Sequence, residues 1–254
     1  MSGTVHVTRP GPGIAWLEID CPPANALGQE ARHRLEAELD RIEADLDVRV
    51  VVLTGRGPGF SSGDDLREAA GRGEGALPSL AQFGRMLEKV ERLRVPVIAA
   101  VNGYAIGGGL ELALACDVRI ASEGAWFLGA GVNVGLMASV YRLPRLIGVG
   151  PAKAMLLTGT RTDAATALSW GLVTAVHPAD RLQAEALTLA ERIATRAPLS
   201  VEASKRMIGQ AFDLSPDEAE RAAGRELKTL ARSNDHRTAL KAFGSRQDPP
   251  FTRS

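Results

Sequence analysis

Apolar and polar positions along the chain follow two periods, and where one gives way to the other marks the elements. Residues 14–20 form a short β-branched and aromatic run closed by Cys21, Pro22 and Pro23, which predicts a strand. Across 29–47, Leu35, Leu39, Ile42 and Leu46 recur at intervals of 4, 3 and 4, with Arg and Glu elsewhere, predicting a helix with one buried face. Residues 48–53, broken only by Arg49 and followed by Thr54 and Gly55, read as a strand buried on both faces, and 95–101 read as a second. Between these two, Gly71, Gly73 and Gly75 mark a flexible stretch leading into a helix with Leu80, Phe83, Leu87 and Val90 on one side.

Further units follow: a strand at 118–121, a helix at 152–157 behind Pro151, a helix at 163–170 stopped by Gly171, and a last strand at 172–176. Alternation of strand and helix predicts an α/β fold with a largely parallel sheet. From Arg181 onward the pattern is helical, and Ser215, Pro216, Asp217 and Glu218 form a capping-box start for a helix through Arg232. Two segments, 50–66 and 97–110, share one plan: buried strand, Gly-containing loop, helix start.

Composition narrows the function. The 254 residues carry 30 Lys plus Arg against 30 Asp plus Glu, so no electrostatic footprint for nucleic acid or an anionic membrane surface is expected. Cys21 and Cys116 have no C-x-x-C spacing, which argues against a zinc site or a disulfide framework and for a reducing, cytoplasmic setting. No stretch reaches the ~18 apolar residues of a membrane span, and the first residues hold no signal-peptide core.

Three features bear on chemistry. Residues 59–63 match G-x-S-x-G, but a nucleophile elbow needs its Ser at a turn directly off a strand, and here Gly57 and Pro58 intervene; neither His177 nor His236 is marked as its base. Gly107, Gly108 and Gly109 open the apolar helix 110–116, where bare amides at a helix start suit an anion or a developing oxyanion, or equally permit close backbone packing. Glu111 is the only charged residue between Pro96 and Cys116. A carboxylate in such apolar surroundings is expected to have a raised pKa and to exchange protons, the alternative being a structural pair with an Arg or amide.

At this point the residues themselves are recognisable. Residues 97–112, VIAAVNGYAIGGGLEL, resemble the signature of the crotonase, or enoyl-CoA hydratase/isomerase, family. PANAL at 23–27, VVLTG at 51–55 with FSSGDDL at 60–66, and LLTG at 156–159 through Ala167 to WGLV at 170–173 agree in order and spacing, so the similarity covers essentially the whole chain. The resemblance implies a spiral of ββα units over 1–195 and a C-terminal helical region over 196–254 that drives assembly into homotrimers or hexamers. It implies an acyl-CoA substrate, with coenzyme A entering as part of that substrate and no separate cofactor or metal. Carried over by position, the N–H groups of Asp64 and Gly108 hold a thioester oxyanion and Glu111 is the acid/base. Asn25, Ala26, Leu27, Ser62, Asp64, Asp65 and Leu66 line the CoA groove, with Gly108 and Gly131 at its reacting end, and Phe243 and Arg246 reach CoA from the same or a neighbouring subunit.

The sequence also departs from the family. Hydratases of this type use a second glutamate four residues after the equivalent of Phe127, and here that position is Gly131. The turn after Gly135 is short as well, with Leu136, Met137, Ala138, Ser139, Val140 and Tyr141 where the family has Pro and several glycines. Asn133 and Tyr141 are candidates to position a water. Asp64 stands where Ala is frequent, so its carboxylate must point away from the oxyanion or be neutralised. Trp126, Phe127, Val132, Val134 and Met137 read as an apolar acyl pocket. The expectation is an enoyl-CoA hydratase, with isomerase, decarboxylase and non-catalytic acyl-CoA binder as alternatives.

Overall fold

The apolar runs become parallel strands covered on both faces. The structure, a computed structural model, describes residues 3–243 and 249–254. Its strands are β1 (Thr4–Gly11), β2 (Ile14–Asp20), β3 (Ala26–Leu27), β4 (Val50–Gly55), β5 (Gly59–Ser61), β6 (Gly63–Asp64), β7 (Val97–Val101), β8 (Tyr104–Ile106), β9 (Val118–Ser122), β10 (Trp126–Leu128), β11 (Thr162–Asp163) and β12 (Ala175–His177). The helices are α1 (Gln29–Ala44), α2 (Leu66–Gly71), α3 (Ala76–Arg92), α4 (Gly108–Ala115), α5 (Arg142–Ile147), α6 (Val149–Thr158), α7 (Ala164–Ser169), α8 (Leu182–Ala194), α9 (Pro198–Gly209), α10 (Pro216–Leu230) and α11 (Asn234–Ala242).

A six-stranded sheet runs β1-β2-β4-β7-β9-β12, parallel except for the β1–β2 hairpin. Side chains alternate across it. Val51, Leu53, Ala99 and Val101 join the core under α1, α3 and α4, whereas Val50, Val52, Ile98 and Ala100 pack with Leu182, Ala186 and Ala190 of α8. After β4, β7 and β9 the chain adds a short strand, β5, β8 and β10, to a second sheet ordered β11-β10-β8-β5 before turning into a helix. These strands have two or three residues, too few for alternation to show.

Several boundaries differ from the sequence-based expectation. α1 stops at Ala44, three residues short, because Asp45 turns to extended backbone and its Oδ1 accepts the N–H of Asp47 at 3.1 Å. Leu46, expected on the buried face, is therefore 55% exposed. The strand at 48–53 begins at Val50, and the one at 172–176 shrinks to β12, leaving Leu172 and Val173 as buried loop residues. The capping box at α10 forms, with the Ser215 N–H donating to Glu218 Oε2 at 2.9 Å. No helix among the described residues is long and apolar enough to cross a membrane.

Candidate active site

Two strand-to-helix junctions meet at one point. Gly63 in β6 takes φ +88°, and a Cβ built there would lie 2.5 Å from the Gly108 nitrogen and 2.7 Å from the Ile106 oxygen. A Cβ on Gly108 would lie 3.2 Å from the Asp64 nitrogen and 2.5 Å from Cζ of Phe83. Only bare backbone lets the Asp64 and Gly108 amides come this close. Gly107, at φ +51°, caps α4, so Gly108 N–H is one of the amides at the helix start that have no partner within the helix. At the other end of α4, Arg119 from β9 donates to the Cys116 carbonyl at 2.6 Å and to that of Leu172 at 2.9 Å, fixing the helix against the sheet. Burial pushes that guanidinium's pKa down.

Glu111 follows one turn into α4. It is half-buried rather than enclosed, and its Oε1 accepts the Ser139 N–H at 2.6 Å, with Ser139 Oγ 3.4 Å from the same oxygen. Gly131, where the resemblance leads to the expectation of a second carboxylate, is buried. A Cβ there would meet the Leu136 oxygen at 2.9 Å and the Ala138 nitrogen at 3.0 Å, so the short loop that brings Ser139 to Glu111 occupies the space of a side chain at 131.

The Asp64 carboxylate is neutralised. Arg72, just past α2, grips it with both terminal nitrogens, Nη2 to Oδ1 at 2.9 Å, and buried Arg32 stands 4.0 Å away. The bond to Asp64 pushes the Arg72 pKa up, whereas burial pushes that of Arg32 down. Arg32 also donates to Ser79 and lies over the Phe83 ring. Arg72 and Arg32 went unmarked in the sequence, and Phe83 and Ser139 were read only as a helix-face and a turn residue, because each acquires its place here through a contact with a distant segment.

Beside the amides opens a cavity of about 530 Å³ lined in part by Pro23, Ala26, Ser62, Asp65, Leu66 and Ile106. Asp64 lines it too, and Asp65 caps α2 by accepting the Arg67 N–H at 2.8 Å. Two residues expected to line the groove face inward instead. Asn25 is 3% exposed and ties three segments together, accepting from Cys21 N–H at 3.0 Å and donating to the Arg56 and Gly59 carbonyls at 2.9 and 2.8 Å. Leu27 is fully buried in the core. Phe243 is 91% exposed at the end of α11 and is not among the cavity's lining residues; Arg246 lies outside the described residues. A larger cavity, about 990 Å³, lies between α5, α8 and α9, and neither Glu111 nor the two amides line it.

Other expectations change. Asn133 donates to the Gly159 carbonyl at 3.0 Å and the Tyr141 hydroxyl to Asp213 at 3.3 Å, so both side chains are engaged away from Glu111. Of the expected acyl pocket, Phe127 is core and Trp126 lies under Arg161; Val132 and Val134 are exposed because the one-turn helix Ala130–Val134 faces them outward, and Met137 is exposed on the loop that follows it. Ser61, the would-be nucleophile, is fully buried and donates to the Asn25 carbonyl at 2.7 Å.

A sequence model described as enoyl-CoA hydratase/isomerase matches residues 10–254. The chain is 37% identical over 243 residues to the (E)-benzylidenesuccinyl-CoA hydratase of Thauera aromatica, covering 94% of this chain and 95% of that protein. It is 35% identical to the carnitinyl-CoA dehydratase of Citrobacter koseri, with 98% of each covered. Among solved structures, the enoyl-CoA hydratase of Bacillus anthracis matches with a TM-score of 0.96 at 33% identity, covering 99% of this chain and 100% of that one.

Proposed function

The chain belongs to the enoyl-CoA hydratase/isomerase family and has the crotonase fold, and from that premise we propose that it adds water to, or removes it from, an acyl-CoA thioester. The observation that carries the reading is the approach of the Asp64 and Gly108 amides to one point, with Glu111 one turn further along the same helix. Two fixed N–H donors aimed at a thioester oxygen stabilise the negative charge that develops there, each worth about 3 kcal/mol in comparable sites. The cavity beside Ala26, Ser62, Asp65 and Leu66 takes the CoA portion.

In the hydration direction, water forms its C–O bond to Cβ of a 2-enoyl thioester while one of its protons passes to Glu111. The double-bond electrons move onto the thioester oxygen, held by the two amides. The proton on Glu111 then goes to Cα as the enolate collapses, so one carboxylate is base and then acid. The Asp64 carboxylate, gripped by Arg72, leaves that oxyanion unopposed.

Incubation with 2-enoyl- and 3-enoyl-CoA thioesters in D2O, followed by mass spectrometry with separation of isomers, tests this. Mass gain of water, lost by roughly 10²–10⁴-fold in Glu111→Gln with CoA binding kept, is the expected result. Isomerisation or Cα deuteration without water addition would make the protein an isomerase, the reading that the closed space at Gly131 favours. Tight CoA binding without any turnover would make it a binder. We extend the proposal to a homotrimer or hexamer, supported by the exposed apolar side chains of Met137, Phe212, Leu227, Leu240 and Phe243 and tested by light scattering.

A further inference from the structure

Adding water needs a base, and it also needs the water held in line with the carbon it attacks. Glu111 can take one proton; a second polar group must hold the other O–H. No side chain fits at 131, where backbone of the following loop already stands within 3.0 Å of the position a Cβ would take. That loop brings Ser139 instead.

Ser139 has φ +58°, the left-handed region where residues other than glycine are uncommon. Its N–H serves Glu111 Oε1, a task glycine would perform without strain. The chain nonetheless places a hydroxyl there, 5% exposed, whose one hydrogen-bond partner among the described residues is Glu111 Oε1 at 3.4 Å. That is long for O–H···O, so the hydroxyl is not committed to the carboxylate. A serine hydroxyl that leans its proton toward Glu111 keeps two lone pairs for another donor. Glu111 Oε2 has no partner among the described residues and stays available.

We propose that Ser139 Oγ is the water-holding group of this site. The attacking water donates one O–H to Glu111 Oε2 and the other to Ser139 Oγ. As its oxygen bonds to Cβ, the first proton moves to Glu111 and the second stays on the new hydroxyl, which remains hydrogen-bonded to Ser139. Ser139 itself neither gains nor loses a proton, and the balance is that of the hydration step above, on which this inference rests.

Ser139→Gly and Ser139→Ala remove the hydroxyl while keeping the amide, and glycine takes the left-handed backbone freely, so at least one variant folds as well as the parent. Two rates are compared in each: hydration of a 2-enoyl-CoA, and deuterium exchange at Cα of the saturated thioester, which needs Glu111 and the oxyanion amides but no added water. The expected result is a fall of about tenfold in the ratio of hydration to exchange, the size of one lost hydrogen bond, in both variants and at unchanged KM. Hydration and exchange falling together would mean that Ser139 only positions Glu111, and an unchanged ratio with unchanged rates would mean that it does neither; both overturn the proposal. Glu111→Gln separates the layers: if it leaves both rates intact, the underlying assignment of Glu111 fails, and if it abolishes both while the Ser139 variants match the parent, only the role of Ser139 fails.

Discussion

At Gly131, where a second glutamate was expected from the family resemblance, the surrounding backbone leaves no room for a side chain. The Leu136 carbonyl stands 2.9 Å from where a Cβ would be, closer than real Cβ contacts come, the Ala138 amide at 3.0 Å is as tight as few real contacts are, and the Leu136 N–H is bonded to the Gly131 carbonyl at 2.8 Å. Glutamate at this position therefore cannot simply restore a second acid/base. Gly131→Glu is expected to lower hydration and to destabilise the fold by about 1–3 kcal/mol, as overpacked buried sites do, read from turnover together with the denaturant midpoint. A gain in turnover at unchanged stability would show that the loop over residues 136–139 yields easily, contrary to the packing described. The departure at 131 was legible from one residue type; its consequence was not. Ser139 lies 28 positions from Glu111 in sequence and meets it only because the loop crosses Gly131.

At the scale of elements, the proposed oxyanion hole rests on two short pieces, β6 and the first turn of α4, and glycine at 63 lets their backbones approach. A methyl group there would sit 2.5 Å from the Gly108 nitrogen, on backbone already at φ +88°. Gly63→Ala should therefore push the amides apart and reduce turnover on the order of 10²-fold, the effect of losing one such donor, while circular dichroism and CoA binding stay near those of the parent. If turnover survives, these amides are not the oxyanion donors. The long parallel strands were visible as apolar runs because burial on both faces leaves no polar positions, as in Val50–Gly55. The β5, β6, β8 and β10 pieces that aim the site were not, since two or three residues carry no period. The Asn25 side chain shows a subtler limit: its neighbours Ala24 and Ala26 line the cavity, but only the fold reveals that Asn25 is turned inward to hold the Cys21 and Gly59 backbones.

For the whole molecule, the question is how the helices after α8 are fastened to the six-stranded sheet. Glu202 of α9, with a side chain 5% exposed, answers it: Oε1 accepts from Arg94, and Arg253 donates to both oxygens at 3.1 and 3.0 Å. Arg94 continues to the Asp45 carbonyl at 3.0 Å, and Arg49 donates to the Ala194 and Phe251 carbonyls at 3.0 and 2.6 Å. Asp235 of α11 accepts the Thr252 and Arg253 amides, closing the end of the chain onto the same cluster. The bond to Glu202 pushes the Arg253 pKa further up. One carboxylate therefore serves two guanidinium groups in a mostly dry setting, and deleting it removes the carboxylate that both bond to. Because uncompensated buried charge is what makes such deletions severe, Glu202→Ala should lower stability by about 3 kcal/mol, seen as an earlier urea midpoint at unchanged slope. Glu111, the two amides and Gly131 are absent from this cluster, so turnover per folded molecule should match the parent at a temperature well below the transition. A midpoint unchanged by the substitution would mean that apolar packing alone seats the C-terminal helices, and that the Arg94–Glu202–Arg253 cluster contributes geometry rather than stability.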